Sequence, residues 1–267
     1  MMKPRLKLPL GISIPLVVLA LAVIISANAM AERIVFNSGL KRVSLLELFT
    51  SEGCSSCPPA DDWLSRLKNS PGLWSEFIPV AYHVDYWDRL GWKDRWSSPE
   101  FSKRQSAYAR IWRNQNLYTP CFGLNGNEWR GWSGRRNVPR ASDENVGVLL
   151  ISSTDTNHWY VSFIPANKSG PKYEVHAALL AGELTSDVKA GENRGRQLRH
   201  EFVVVDFMDA VMKDRHGTVS GSFDFDISRH RSEKVLALAL WVSLAGQLEP
   251  LQATGGWLVM PPKSAKH

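Results

Sequence analysis

Apolar and polar positions follow two different rules along this chain. Between Arg42 and about Gln115, short apolar runs of strand length alternate with helix-like stretches. Val43-Ser44-Leu45-Leu46-Glu47-Leu48-Phe49 predicts a strand, and residues 77–84 predict a second. Cys57-Pro58-Pro59 opens a helix, because proline is tolerated in a first turn whose N–H groups have no intrahelical acceptor. That helix continues to Lys68 with Trp63, Leu64 and Leu67 on one face. Ser97-Ser98-Pro99-Glu100 starts another, running to about Gln115. Tyr118-Thr119-Pro120 leads into a third strand over 121–124, and Asn125-Gly126 signals a tight hairpin. Strand, helix, strand, helix, strand and turn predict an α/β unit, a mixed sheet flanked by helices, over residues 32–140.

Beyond about Pro139 the period shortens. Residues 146–152, 159–164, 173–180, 202–207, 218–225, 235–244 and 256–260 all read as strands, with one short helix expected around 208–213. Leu236, Leu238, Leu240, Val242 and Leu244 alternate with Ala237, Ala239, Trp241 and Ser243, the period of two of a pleated strand. Seven short strands predict an antiparallel, sandwich-like β-rich domain over 141–262, followed by a tail at 263–267.

The first 31 residues read as an address rather than as fold. Lys3, Arg5 and Lys7 precede an uncharged apolar run over 10–25, and small residues then stand at Ala27, Ala29 and Ala31. This is the layout of a secretory signal peptide, with a retained anchor as the alternative. Export predicts a periplasmic or secreted protein, with no membrane attachment after cleavage, in a compartment where disulfides persist. The net charge of +6 first suggests nucleic acid. Three of the basic residues lie in the leader, however, and Lys263 and Lys266 lie in the tail, so the body is close to neutral. A near-neutral body argues against a phosphate-binding groove and so against nucleic acid as a partner.

Cys54-Ser55-Ser56-Cys57-Pro58 stands between a predicted strand and a predicted helix. The only other cysteine is Cys121, so the paired CxxC units of a structural zinc site are missing. Two thiols at a helix N-terminus suit redox chemistry, because the peptide dipoles and free N–H groups there stabilise a thiolate. Cys54, expected to be the more exposed, would attack a substrate disulfide, and Cys57 would resolve the mixed disulfide. The alternative is a structural disulfide without turnover. Thr119-Pro120 entering a strand is a candidate cis peptide beside this pair.

These residues resemble the thioredoxin fold. More specifically, Glu47-Leu48-Phe49-Thr50-Ser51-Glu52-Gly53-Cys54-Ser55-Ser56-Cys57-Pro58-Pro59-Ala60-Asp61 resembles the signature of the DUF1223 family of exported thioredoxin-like proteins. Tyr82-His83-Val84-Asp85-Tyr86-Trp87-Asp88, Gly191-Glu192-Asn193-Arg194-Gly195-Arg196 and Leu251-Gln252-Ala253-Thr254-Gly255-Gly256-Trp257 extend the likeness over nearly the whole mature chain. The family implies a thioredoxin-like domain followed by a β-rich one, and it supplies no substrate. The wider resemblance implies that Cys54 attacks, Cys57 resolves and Pro120 is a cis-proline beside them. It also implies a buried carboxylate, Glu47, that moves protons for the resolving thiol. The chain departs from the thioredoxin pattern where the last helix should follow the hairpin: residues 132–141 contain Gly134 and Pro139.

Other residues frame the pair. Thr119, Trp87 and Trp92 are candidates for a substrate groove, and Glu52 is expected to be exposed. Trp87, Trp92 and Trp96 form an aromatic loop that either packs the two halves together or holds a peptide or sugar. His83 and Asp85 share a strand face, so Asp85 is expected to orient the imidazole. Cys121 is an inert core thiol, a third redox thiol, or part of a copper or zinc site with Cys54, Cys57 and His83. Arg194, Arg196, Arg199 and His200 are a weaker anion-site candidate. The expected function is thiol–disulfide exchange on periplasmic protein thiols or disulfides, with no cofactor. A non-catalytic binding module with a structural disulfide and a copper-handling protein are the alternatives.

Overall fold

The computed structural model describes residues 33–133, 138–155, 157–167, 172–230 and 232–258. The predicted leader over 1–31 and the tail at 263–267 lie outside the described residues. The first half contributes β1 (Ile34–Asn37), β2 (Ser44–Thr50), α1 (Pro58–Arg66), β3 (Phe77–His83), α2 (Pro99–Ile111), β4 (Cys121–Leu124) and β5 (Asn127–Glu128). The second half contributes β6 (Gly147–Ser153), β7 (His158–Pro165), β8 (Tyr173–Gly182), β9 (Leu184–Asp187), β10 (Gln197–His200) and β11 (Val203–Val211). It ends with β12 (Lys213–Arg215), β13 (Thr218–Asp224), β14 (Val235–Leu244) and β15 (Pro250–Trp257).

The helices form where the sequence places their caps. Pro58 and Pro59 occupy the first turn of α1, and Ala60 and Asp61 donate their N–H groups to the Cys57 carbonyl. Ser98 caps α2, accepting from the Glu100 N–H at 3.2 Å, with Pro99 at the first helical position.

The expected thioredoxin-like α/β domain followed by a separate sandwich-like domain is not what the chain builds. The structure is mostly β, with two α-helices among the described residues. One sheet of eight strands, in the order β15-β14-β8-β11-β3-β2-β4-β5, crosses the expected boundary at residue 140. The seam is small: Val203 at the start of β11 pairs in parallel with Ala81 of β3, and the Ala81 N–H donates to the Phe202 carbonyl at 2.8 Å. An unpaired edge on β3 would leave a row of N–H and C=O groups without partners, and β11 begins to close it. A second sheet, β1-β6-β7-β13-β12, packs across the second half, and β9 pairs with β10 as a hairpin. Residues 208–213, expected as a helix, instead extend β11 and begin β12. The antiparallel partner β8 overrides any local helical tendency there, pairing Met208 with Ala177 and Asp209 with His176.

Two apolar cores share the large sheet. Leu149, Ile151, Trp159 and Phe163 meet Val175, Leu179, Leu238 and Leu240 between the sheets. Leu45, Leu48, Phe49, Tyr82, Phe122 and Trp241 belong to the other core, around the helices. Each such fully buried side chain contributes roughly 1.5–3 kcal/mol.

Candidate thiol site

Strand alternation decides which side chains reach the cysteines. Thr50 on β2 faces α1, where its Oγ1 donates to Asp61 Oδ2 at 3.1 Å. Glu47 and Phe49 point to the opposite face, toward α2. The loop between β2 and α1 carries Cys54, and Cys57 is the N-cap of α1. Both lie past the C-terminal ends of the parallel strands β2 and β3, the usual crevice for sites in open sheets containing parallel strands. Gly53 allows the loop to approach Trp87: a Cβ there would lie 2.9 Å from the Trp87 Cβ.

Both cysteines carry free thiols. The Cys57 S–H hydrogen-bonds to Cys54, and this with Ser56 and Thr119 lowers the Cys54 thiol from 9.0 to about 6 against the opposing effect of burial. Cys57 moves the other way: burial raises it, and its hydrogen bond to Cys54 and the charge of Asp61 add to the rise. The Thr119 carbonyl lies 3.7 Å from Cys54 Sγ, and the Thr119–Pro120 peptide is cis. Cys54 is therefore expected to react with iodoacetamide along a titration centred near pH 6, against 9.0 for an ordinary thiol. A rate-against-pH profile in the wild type measures this, and a midpoint above about 8 refutes it. Because the folded-state value lies below the unfolded one, the associated stability is present above pH 9.0 and fades as pH falls through about 6.

Exposure corrects one expectation. Cys54 is 0% exposed, as is Cys57, so the attacking thiol is not open to solvent. The sulfur lies against the Ser56 hydroxyl at 3.3 Å and the Thr119 carbonyl at 3.7 Å, and the second half of the chain holds the backbone of its loop. Asn193, itself 0% exposed, donates through Nδ2 to the carbonyls of Glu52 at 2.8 Å and Cys54 at 2.9 Å. The Ser55 N–H donates to Glu192 Oε2 at 2.9 Å.

Beneath the loop lies a buried polar cluster. Glu52, expected to be exposed, is 0% exposed: Trp92 Nε1 donates to its Oε2 at 2.7 Å, and His200 Nε2 lies 3.2 Å from its Oε1. His83 pairs with Asp94 at 2.6 Å rather than with Asp85, which instead accepts from the Ser102 hydroxyl. Burial opposes the Asp94 charge, but His83 and the N–H groups of Glu52 and Trp96 outweigh it and hold the carboxyl below its usual range. Asp61, one turn along α1 from Cys57, is pushed up to about 7 by burial.

The remaining candidates scatter. Glu47 is 0% exposed, but Arg104 Nε donates to one of its oxygens at 2.8 Å and the Tyr108 hydroxyl to the other at 2.6 Å. This carboxylate is tied to α2, not to the thiols. Cys121 pairs in register with Phe49, so it too faces α2, and burial raises its thiol to about 11. Among the described residues no three His, Cys, Asp or Glu side chains are grouped to hold a metal, and Cys54, Cys57, Cys121 and His83 do not converge. Trp87 Nε1 donates to Thr119 Oγ1 at 2.8 Å. The open cavity beside Thr119 and Pro120, about 570 Å³, is lined instead by Tyr118, Phe122, Trp129 and Trp132. Trp96 and the imidazoles of His83 and His200 all meet edge to face, with the two imidazoles 4.9 Å apart, joining the two halves. Arg196, Arg199 and His200 line one small cavity together with Asp61 and Asp62, and Arg194 is not part of it.

Sequence reading missed Asp61, Asp94 and the cluster role of His200. It also missed His176, Asp209 and Ser243, which hydrogen-bond in line across β11, β8 and β14 at 2.5 and 2.8 Å. Ser243 is 0% exposed and its Oγ also lies 3.2 Å from the Leu244 carbonyl, so the arrangement fastens three strands.

The family described as a protein of unknown function, DUF1223, matches residues 45–243, and the chain belongs to it. A crystal structure of protein AGR_C_4864 from Agrobacterium tumefaciens is similar, at 24% identity and a TM-score of 0.59, covering 85% of this chain and 99% of that one. HBP35 of Porphyromonas gingivalis is similar at 14% identity and a TM-score of 0.57, covering 86% of this chain and 80% of that one. These likenesses concern the fold alone, and neither is described as a thioredoxin. No curated protein matches the chain. No described helix is long and apolar enough to cross a membrane.

Proposed function

We propose that this chain is a thiol–disulfide exchange protein working through Cys54 and Cys57. The observation that carries the reading is the placement of the free Cys54 and Cys57 thiols at the strand-to-helix junction beside the Thr119 carbonyl, with the Cys54 thiol lowered to about 6. The Cys54 thiolate attacks one sulfur of a substrate disulfide, forming a mixed disulfide and releasing the other sulfur as a thiolate. Asp61 takes the Cys57 proton, since its carboxyl titrates near neutrality. The Cys57 thiolate then attacks Cys54, forming the Cys54–Cys57 disulfide and releasing the second substrate thiolate. The substrate gains two electrons and the pair loses two; the reverse sequence oxidises a substrate dithiol. The basic and apolar leader supports a periplasmic or secreted site of action, where protein thiols or disulfides would be the substrates.

Insulin reduction, and oxidation of a reduced test protein, should fall to background in Cys54→Ser and Cys57→Ser. Wild-type activity no higher than both variants sinks the reading. The burial of both thiols favours a second reading, a closed structural pair on a binding module. The reduction potential of the couple separates the two: between about −120 and −270 mV supports exchange, and well below about −300 mV supports the structural bond.

A further inference from the structure

We infer that residues 188–196, between β9 and β10, form a movable strap latched over Cys54 by the Asn193 side chain, and that the thiol reacts when this strap lifts. The inference rests on the exchange reading for its functional meaning, though the latch itself does not depend on turnover.

The geometry has three parts. First, the attacking sulfur has no exposed surface, so exchange with a protein disulfide requires something to move. Second, the polar contacts closing the loop come from two side chains, with Gly191 packed against Trp92 beside them. Asn193 grips the carbonyls of Glu52 and Cys54, and Glu192 accepts from the Ser55 N–H. Glu192 is itself exposed and its bond is open to competition from water. Third, the strap moves without breaking sheet pairing. Its own bonds, Gly195 N–H to the Val188 carbonyl at 2.8 Å and Arg196 N–H to the Asn193 carbonyl at 3.0 Å, lie inside the turn. Arg196 Nη1 donates to Asn193 Oδ1 at 2.8 Å, orienting the amide so that its NH₂ faces the cysteine loop. The β9–β10 ladder, Asp187 to Gln197 through Leu184 to His200, provides the fixed base. A latch built from one side chain on a two-strand hairpin belongs to the part of a fold that opens locally at low free energy.

The strap gives Asn193 a specific task. Its two donated bonds neutralise carbonyls that flank the attacking cysteine, and removing them weakens the closed state alone. An incoming polypeptide that presents a backbone N–H or an amide side chain to the Glu52 and Cys54 carbonyls replaces what Asn193 gave up. The favoured substrate is therefore an extended protein segment carrying the disulfide, rather than a small disulfide lacking such donors.

The test uses the full reduced chain. Iodoacetamide labelling of Cys54 is followed by peptide mass spectrometry in wild type, Asn193→Ala and Glu192→Gln, with buried Cys121 as internal reference. Asn193→Ala should label Cys54 about tenfold faster or more, Glu192→Gln by a smaller factor, and Cys121 at its original rate. An unchanged Cys54 rate, or an equal rise at Cys121, overturns the strap. Wild-type hydrogen exchange supplies a second measurement that needs no variant. The Ser55 amide, which donates to Glu192, should open together with Cys54 labelling, and Cys54 labelling that instead tracks the β8 and β14 amides also overturns it. Faster labelling without insulin reduction leaves the strap standing and removes the exchange reading; reduction without a labelling change does the reverse.

Discussion

Glu47→Ala is expected to destabilise the protein by about 3–5 kcal/mol, because it leaves a guanidinium buried without its counter-charge. The Arg104 side chain is 8% exposed and the Glu47 side chain 0%, and they meet at 2.8 Å. Arg104 also lies over the rings of Tyr82, Tyr108 and Trp241, so it has no route to water that keeps the packing intact. The Tyr108 hydroxyl loses its 2.6 Å acceptor in the same substitution. For a chain of this size the loss corresponds to a fall in Tm of roughly 10 °C. Urea unfolding measures it, and a change below about 1 kcal/mol contradicts the assignment. The double variant Glu47→Leu, Arg104→Met should recover much of the loss, since an apolar pair of similar volume avoids the desolvation penalty. Cys54 labelling should be unaltered in that double variant; a shifted pH profile would return Glu47 to the proton relay.

The second large effect falls on Gln252. This side chain is 0% exposed and satisfies five backbone groups from three segments. Its Oε1 accepts from Val43 at 2.8 Å and Ala253 at 3.1 Å, and its Nε2 donates to the carbonyls of Gly147 at 2.8 Å, Lys41 at 3.0 Å and Gly39 at 3.3 Å. Gln252→Leu keeps the bulk and abandons the partners inside the protein. Each orphaned group costs about 1–3 kcal/mol, and some will find water, so a total near 2–4 kcal/mol is expected in urea unfolding. A cost under about 1 kcal/mol would mean that these groups find other partners.

Gln252 also shows what a family motif can hide. Leu251-Gln252-Ala253-Thr254-Gly255-Gly256-Trp257 extends the family likeness in the sequence. In the structure it is a joint: Gln252 ties β15 to the segments before β2 and at β6, and a Cβ on Gly256 would lie 2.3 Å from the Phe36 ring. The elements themselves were legible where local chemistry determines them. The strands at 121–124 and 235–244 match their expected bounds, because an abrupt Thr-Pro entry and a sustained period of two mark them. The strand-to-helix placement of the cysteines followed from two consecutive prolines. The pairing of β11 with β3 was not legible, since no local pattern records which distant strand will close an edge. The site suffered in the same way. His83 takes Asp94 across a loop instead of Asp85 two residues on, and Glu52 is buried by Trp92 and by His200 from the second half. Proximity in sequence favoured the wrong partner for His83, and position in a turn the wrong exposure for Glu52.

The seam at Val203 and Ala81 has a practical consequence for dissection of this protein. A fragment ending after β5 would retain both thiols yet present β3 as a bare, apolar border, while losing Asn193, Glu192 and His200. Such a piece would tend to stack on its own copies, and any chemistry it displayed would belong to a sulfur stripped of its natural cover.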